Sequence, residues 1–523
     1  MKKNVVVSLI SVLLLASMLL LVFRRKITDF AENIYYKDYK ITELTIEEKL
    51  EDFETFYNTL IQSAPYLNEV NDLYGIDFGA RKEYYINEIK QTKNLVQYYG
   101  VMSAISEDVV SFHTDVCFPL YSNLKGLQCY QSKETLSEFG MKQKLDAWTD
   151  EIEKAVLEYE NLGMIPVVYV DGKYIVQKNY LSECFVEMED YELVSVDGIE
   201  ADKYLTENIG IYGLHYDFSL NKVYREKMVF NERVGEPVKV IWRDLQGKDI
   251  EMELYRDYGV DIVASYGFLF SDNIKNYMVA EPEVYMYRDD ANQLEYIKVN
   301  SFSNGEGKKL REYLEKAAYQ KIVIDLSDCY GGVHSYGSRY LFPALYNEVV
   351  YWSWKFKVPD TEANRAMTND WTVRFGYTGY EKEDFYYYTG TTTYRGKQAE
   401  EKEIYYLTSP ATGSATDTYL SMIQKNNLGT IVGGNTGGEG LGGSYICDSL
   451  KNSSLVYVYY PAVSVETEEG ENPCAGTAPD VYVDQTREEY NLEQKYRKEG
   501  TFMDYDKRLQ YDAGLKWVIA QGE

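Results

Sequence analysis

Two short apolar runs do most to limit what this chain can fold into. Lys321-Ile-Val-Ile-Asp-Leu and Ile404-Tyr-Tyr-Leu-Thr are rich in β-branched, aromatic and leucine side chains and too short for stable helices. Each reads as a buried strand that ends in a turn of small residues. The second leads into a helical pattern over 414–424, followed by another apolar run, Thr430-Ile-Val-Gly. Upstream, Tyr296-Ile-Lys-Val reads as a strand and 308–320 as an amphipathic helix. Repeated strand–helix–strand units imply an α/β domain built on a parallel sheet with right-handed crossovers.

The flanks have other signatures. Thr45 before Ile46-Glu-Glu-Lys-Leu is an N-cap followed by an acidic first turn. Helical spacing recurs over 82–105 and 142–157. Between about 160 and 260 the pattern turns to β. Asp171-Gly172 sits between two apolar runs as a hairpin turn, the run 191–199 is similar, and Val238-Lys-Val-Ile-Trp is a further strand. The aromatic-rich stretch 345–400 reads as irregular. The expected organisation is an anchor over 1–26, a helical region over 27–155, a β-rich module over 156–275, the α/β core over 276–486 and a helical tail over 487–523.

With 523 residues the chain exceeds one compact core. Its formal charge of −29 would repel nucleic acid, so a nucleic-acid partner is excluded. Val5 to Phe23 is uncharged, close to the length of a membrane-crossing helix, and flanked by Lys2, Lys3, Arg24, Arg25 and Lys26. No cleavage site of small residues precedes the basic cluster, so an uncleaved signal anchor through a membrane is expected. The cysteine spacing fits no zinc pattern. Cys117 with Cys129, and Cys447 with Cys474, are possible bridges in an exported chain, and buried free thiols are the other reading. With only His113, His215 and His334, a histidine metal centre has little to build on, and no metal or cofactor is expected.

The chemistry concentrates at two turns. Where the strand at 404–408 gives way to a helix, Gly413-Ser414-Ala415 would hold a hydroxyl over the carboxyl end of the sheet. The free N–H groups of the first helical turn would point at the same place. Such donors suit an oxyanion, although Ser414 as a plain helix cap is the simpler role. At the end of the strand at 321–326, Gly331-Gly332 lets backbone amides approach a ligand closely.

These motifs together resemble peptidase family S41, the tail-specific or C-terminal-processing proteases. The family's Asp-Leu-Arg-x-Asn-x-Gly-Gly is matched by Asp325-Leu-Ser-Asp-Cys-Tyr-Gly-Gly332, with the Arg and Asn replaced. Its Thr-x-Ser-Ala-x-Glu is matched by Thr412-Gly-Ser-Ala-Thr-Asp417. Val432-Gly-Gly-Asn-Thr-Gly-Gly438 and Gly476-Thr-Ala-Pro-Asp480 follow in the family's order. The resemblance implies a ClpP/crotonase-like core with a PDZ-like β module beside it, and Val194-Ser-Val-Asp-Gly-Ile199 resembles a strand and turn of such a module. It implies Ser414 as nucleophile, with Gly331, Gly332 and Ala415 as oxyanion donors.

The lysine of the commonest members is replaced here by Glu439, which cannot substitute for a desolvated amine. The chain is more similar to the tricorn-like Ser-His branch. Asp108-Val-Val-Ser-Phe-His113-Thr114 resembles that branch's early histidine motif, which makes His113 the expected base, with His334 as its rival. Glu471, or alternatively Glu439, would orient the imidazole. A peptide or protein substrate outside the cytoplasmic membrane is implied. The alternatives are a catalytically inactive peptide binder on the same scaffold, or a sugar or lipid binder using Trp371 and Tyr386 to Tyr388.

Overall fold

The computed structural model describes residues 43–111, 113–117, 147–155, 165, 167–176, 188–208, 215–226, 230–231, 236–256, 259, 284–303, 305–365, 378–382, 384–398, 400–438, 441–442, 446–464 and 475–521. Its centre is a six-stranded sheet: β1 (Val284–Asp289), β2 (Leu294–Val299), β3 (Lys321–Asp325), β4 (Glu403–Thr408), β5 (Thr430–Gly433) and β6 (Val481–Tyr482). The strands lie side by side in that order. β1 and β2 are antiparallel, and every later pair is parallel.

Alternate residues of the strands enter two cores, as a sheet covered on both faces requires. Ile322, Ile324 and Tyr406 pack on one face with Leu310 and Leu314 of helix α1 (Gly307–Leu314) and with Leu420 and Ile423 of α2 (Ala415–Lys425). Val323, Tyr405, Leu407 and Val432 pack on the other face with Leu515 and Val518. That face is covered by the tail, which folds as α3 (Arg487–Lys498), α4 (Tyr505–Tyr511) and α5 (Ala513–Ala520). Each fully buried aliphatic side chain contributes about 1.5–3 kcal/mol. Helix α1 stops short of the expected 308–320 because the buried Glu295 carboxylate accepts the Ala318 N–H at 2.8 Å, taking it out of the helical ladder.

Four helices, Ile46–Ser63, Leu67–Tyr74, Lys82–Gln91 and Leu95–Glu107, precede the sheets. Thr45 and Glu48 form a reciprocal capping box at the first of them. The β-rich region forms a nine-stranded sheet. In it the turns Asp171-Gly172 and Asp197-Gly198 both have positive φ, which two-residue hairpins demand.

The stretch 345–400 departs from its expectation. Val349–Pro359 and Phe385–Arg395 are long antiparallel strands in full register. Their aromatic and β-branched residues fit a pleated, half-buried surface, so a run that lacks simple alternation still forms a strand. Tyr388 is buried and its neighbours Tyr386 and Tyr387 are partly so. Trp371 lies outside the described residues.

A three-stranded sheet carries the consequence for function. Asp115–Cys117 pairs antiparallel with Val456–Tyr459, which also pairs with Ile446–Ser449. An early segment of the chain is thereby tied to a late one.

The membrane assignment needs correction. No helix among the described residues is long and apolar enough to cross a membrane. The longest of the N-terminal four, Ile46–Ser63, carries Glu47, Glu48, Lys49, Glu51, Asp52 and Glu54, which no hydrocarbon layer would accept. Val5 to Phe23, where the signal anchor was expected, lies outside the described residues. The transmembrane anchor and the single-pass cell-membrane location derived from it are therefore set aside. Cys329 and Cys447 are both buried free thiols, so the Cys447–Cys474 bridge is not formed.

Candidate active site

The Ser414 turn follows directly from the strand before it. Strand β4 ends at Thr408, and Thr412 pins the connection by donating its hydroxyl to the Leu326 carbonyl at 2.8 Å. Ser414 then adopts φ 56° and ψ −127°, a strained conformation for a residue with a Cβ. Its N–H donates to the Gly438 carbonyl at 2.8 Å, and Gly413 bridges Gly438. Ser414 precedes α2 but its hydroxyl caps nothing. The simpler role of Ser414 as a helix cap therefore fails.

The glycine pair packs against this turn. A Cβ on Gly331 would lie 2.6 Å from the Ser414 Cβ and 2.9 Å from the Ala415 nitrogen, at φ 103°, so only glycine fits. The Gly331 carbonyl accepts from Phe302 N–H at 2.8 Å, and Val333 N–H donates to the Phe302 carbonyl at 2.9 Å. In a trans peptide the N–H is opposed to the preceding carbonyl, so the Gly332 N–H is directed away from Phe302. Ala415 opens α2, and its N–H belongs to the first-turn amides that have no intrahelical acceptor.

His113 arrives through the three-stranded sheet. It stands two residues before Asp115, whose partner in register is Val458. Tyr460 correspondingly stands two residues beyond Val458. The His113 ring meets the Tyr460 ring edge-on with centroids 4.7 Å apart. The loop into His113 is held by its own N–H, which donates to Ser111 Oγ at 3.1 Å, and by a short hydroxyl contact between Thr114 and Tyr66. Val110, a β-branched residue, has φ 46°, so this loop also carries strain. Asp108 does not serve His113. It is buried against Arg81 at 2.7 Å and the Tyr85 hydroxyl at 2.5 Å and holds the loop from behind.

His334, two residues past Gly332, completes the group. It keeps contact with solvent, yet the surrounding protein still lowers its affinity for a proton. Desolvation is the larger cause, and the nearby His113 adds to it. The two imidazoles are thus close enough for their charges to interact, although 221 positions separate them in the chain. Among the described residues, no hydrogen bond ends on the Ser414 hydroxyl. Glu439, Glu471 and the side chain of His215 lie outside the described residues.

Several supports escaped sequence reasoning. Asp417, the counterpart of the family's glutamate, accepts from the Thr436 hydroxyl at 2.5 Å and from the Thr477 N–H and hydroxyl at 3.0 and 2.8 Å. It thereby ties α2 to both glycine-rich segments, and the presence of both threonines in matched motifs was the available signal. Cys329 touches the Thr416 hydroxyl at 3.0 Å, and burial pushes its thiol pKa up, which suits a structural thiol rather than a nucleophile.

A parallel sheet with a strained serine at a strand-to-helix turn, packed against Gly331, makes this an α/β protein with a strand-to-helix elbow of the kind hydrolases use. Residues 293–483 match the sequence model of peptidase family S41, so this core is similar to that family. No curated protein matches the sequence. Among solved structures, mature CPAF is 11% identical with a TM-score of 0.51, over 91% of this chain and 98% of that one. Mature CPAF complexed with lactacystin gives 11% and 0.50, over 91% and 99%. At such identity the likeness is one of fold.

Proposed function

We propose that the chain is a serine peptidase that cleaves peptide bonds through an acyl-enzyme on Ser414. The Ser414 oxygen attacks the scissile carbonyl while its proton passes to the His113 imidazole. The N–H groups of Gly332 and Ala415, with Gly331 shaping the turn, receive the oxyanion. The carbon–nitrogen bond breaks, the imidazole returns its proton to the leaving amine, and water releases the acyl group by the same path. Glu471 or Glu439 orients the imidazole. The sheet that contains Val194 to Ile199 serves as a PDZ-like module and offers strand edges to an extended peptide.

The carrying observation is the uncapped Ser414 hydroxyl at a strained φ, packed against Gly331, which no larger residue can replace. A turn that was merely structural would relax the strain or use the hydroxyl as a cap. Labelling with a fluorophosphonate tests the proposal. Ser414→Ala should abolish labelling, and His113→Ala should slow it by about 10³-fold or more. A chain that never labels, yet binds extended peptides, would be the inactive binder, a reading favoured by the altered Asp325–Gly332 motif and by Glu439 in place of the lysine.

A further inference from the structure

A second site lies at the same end of the sheet, clear of Ser414. The ends of β3, β4, β5 and β6 enclose a cavity of about 150 Å³ with helices α3 to α5 and the strand Val167–Val170. A cavity of this size admits a benzene-sized molecule. Neither Ser414, His113, His334 nor the Gly331-Gly332 pair lines it.

Its charge is unbalanced. Arg497 and Arg508 are already engaged: Arg497 with Glu493 at 2.6 Å, Arg508 with Asp325 at 3.0 Å and Asp512 at 3.1 Å. Asp328 is held by Lys298 at 2.7 Å. Asp217 and Asp484 also line the cavity, and among the described residues neither has a cationic partner. Asp217 is fully buried. Its Oδ1 accepts from the N–H groups of Ser219 and Leu220, but its Oδ2 has no hydrogen-bond donor. The backbone N–H of Asn435 lies near enough to favour the charged carboxylate without closing a hydrogen bond to Oδ2. The Tyr224 and Tyr482 rings form the adjoining wall.

We propose that this cavity binds an organic cation, a primary ammonium or guanidinium on a short alkyl chain, between Asp217 and Asp484. An orphaned buried carboxylate oxygen is costly, and a donor with positive charge satisfies it. Tyrosine faces add attraction for a cation and accept its alkyl stem. An anion would meet arginines already occupied and carboxylates that repel it. Among the described residues no three His, Cys, Asp or Glu side chains converge as a metal ion requires. The acids respond to one another as this arrangement demands. Burial pushes Asp484 up to about 6, with Asp217 and Asp171 contributing, and burial raises Asp217 as well.

Calorimetric titration of the full chain with n-butylammonium, and separately with a blocked lysine tripeptide, tests the site. Saturable binding of either cation is expected at pH 7.5, with butan-1-ol and the norleucine tripeptide silent. The amine alone binding marks a free small molecule as the source, and both binding marks a basic side chain. Asp217→Asn and Asp484→Asn should each weaken binding at least tenfold, while Ser414→Ala binds as the parent does. Should Asp217→Asn fail to fold, Asp484→Asn carries the test. Equal binding of the neutral controls, indifference to both substitutions, or no saturable binding would overturn the proposal.

Discussion

Two neighbouring clusters at the carboxyl ends of one sheet are built on opposite terms. At the Ser414 turn the backbone is strained, the hydroxyl is uncapped, and the contacts are made by glycines and small residues. Next to it, beyond β3, a set of charges is buried and paired. The Asp325 carboxylate accepts from Tyr296 at 2.5 Å, Ser327 Oγ at 2.6 Å, Arg508 at 3.0 Å and Lys298 at 3.3 Å. Burial alone would raise its pKa, but Lys298 and Arg508 outweigh it and hold it below the ordinary range. The difference separates reactivity from support: the hydroxyl meant to react is left without a partner among the described residues, whereas the Asp325 carboxylate that fixes its platform is held by four side-chain donors.

The largest expected effect breaks the supporting cluster. Asp325→Asn turns an amide toward donors and leaves two buried cations short of one charge. A loss of about 3–5 kcal/mol in urea unfolding is expected. A loss below about 1 kcal/mol would mean that the cluster is not what holds the β3 end, and the contrast with the serine turn would go with it.

A smaller effect sharpens the contrast through pH. Asp484, in the cavity beside this cluster, is pushed up to about 6 by burial, with Asp217 and Asp171 adding to the shift. The folded state therefore holds a proton that the unfolded chain releases near pH 4. Stability from this group is present at pH 4 and is lost as the pH rises through 6. Asp484→Asn cannot ionise, so the variant should exceed the parent by about 1–2 kcal/mol at pH 8 and show no gain at pH 4. Denaturant midpoints at the two pH values decide it; an equal gain at both would place the cause elsewhere.

What was legible in the sequence follows the same division between local and distant. The strand, turn and helix around Ser414 are contiguous, so apolar runs and small residues announce them. The glycines at 331–332 were legible for the same reason. The placement of His113 was not, because it depends on Asp115–Cys117 pairing with a strand far along the chain. The charge cluster was equally hidden, since Asp325 opens a matched motif but its partners Lys298 and Arg508 come from another strand and a tail helix outside it. The strands in 345–400 were missed because tyrosines fall on both faces and blur the period of two.

The smallest effect bears on the strain itself. Ser414 sits at φ 56°, ψ −127°, which costs a residue with a Cβ about 1–3 kcal/mol and glycine far less. Glycine also enlarges the entropy of the unfolded chain, which returns part of that gain. Ser414→Gly should therefore stabilise the fold by about 0.5–1 kcal/mol while abolishing fluorophosphonate labelling. Ser414→Ala keeps the Cβ and should leave stability unchanged, so the gap between the two variants reports the strain free of the lost hydroxyl. If glycine proves no more stable than alanine, the turn is at ease in its conformation, and a relaxed serine would need another reason to stand uncapped beside the glycine pair.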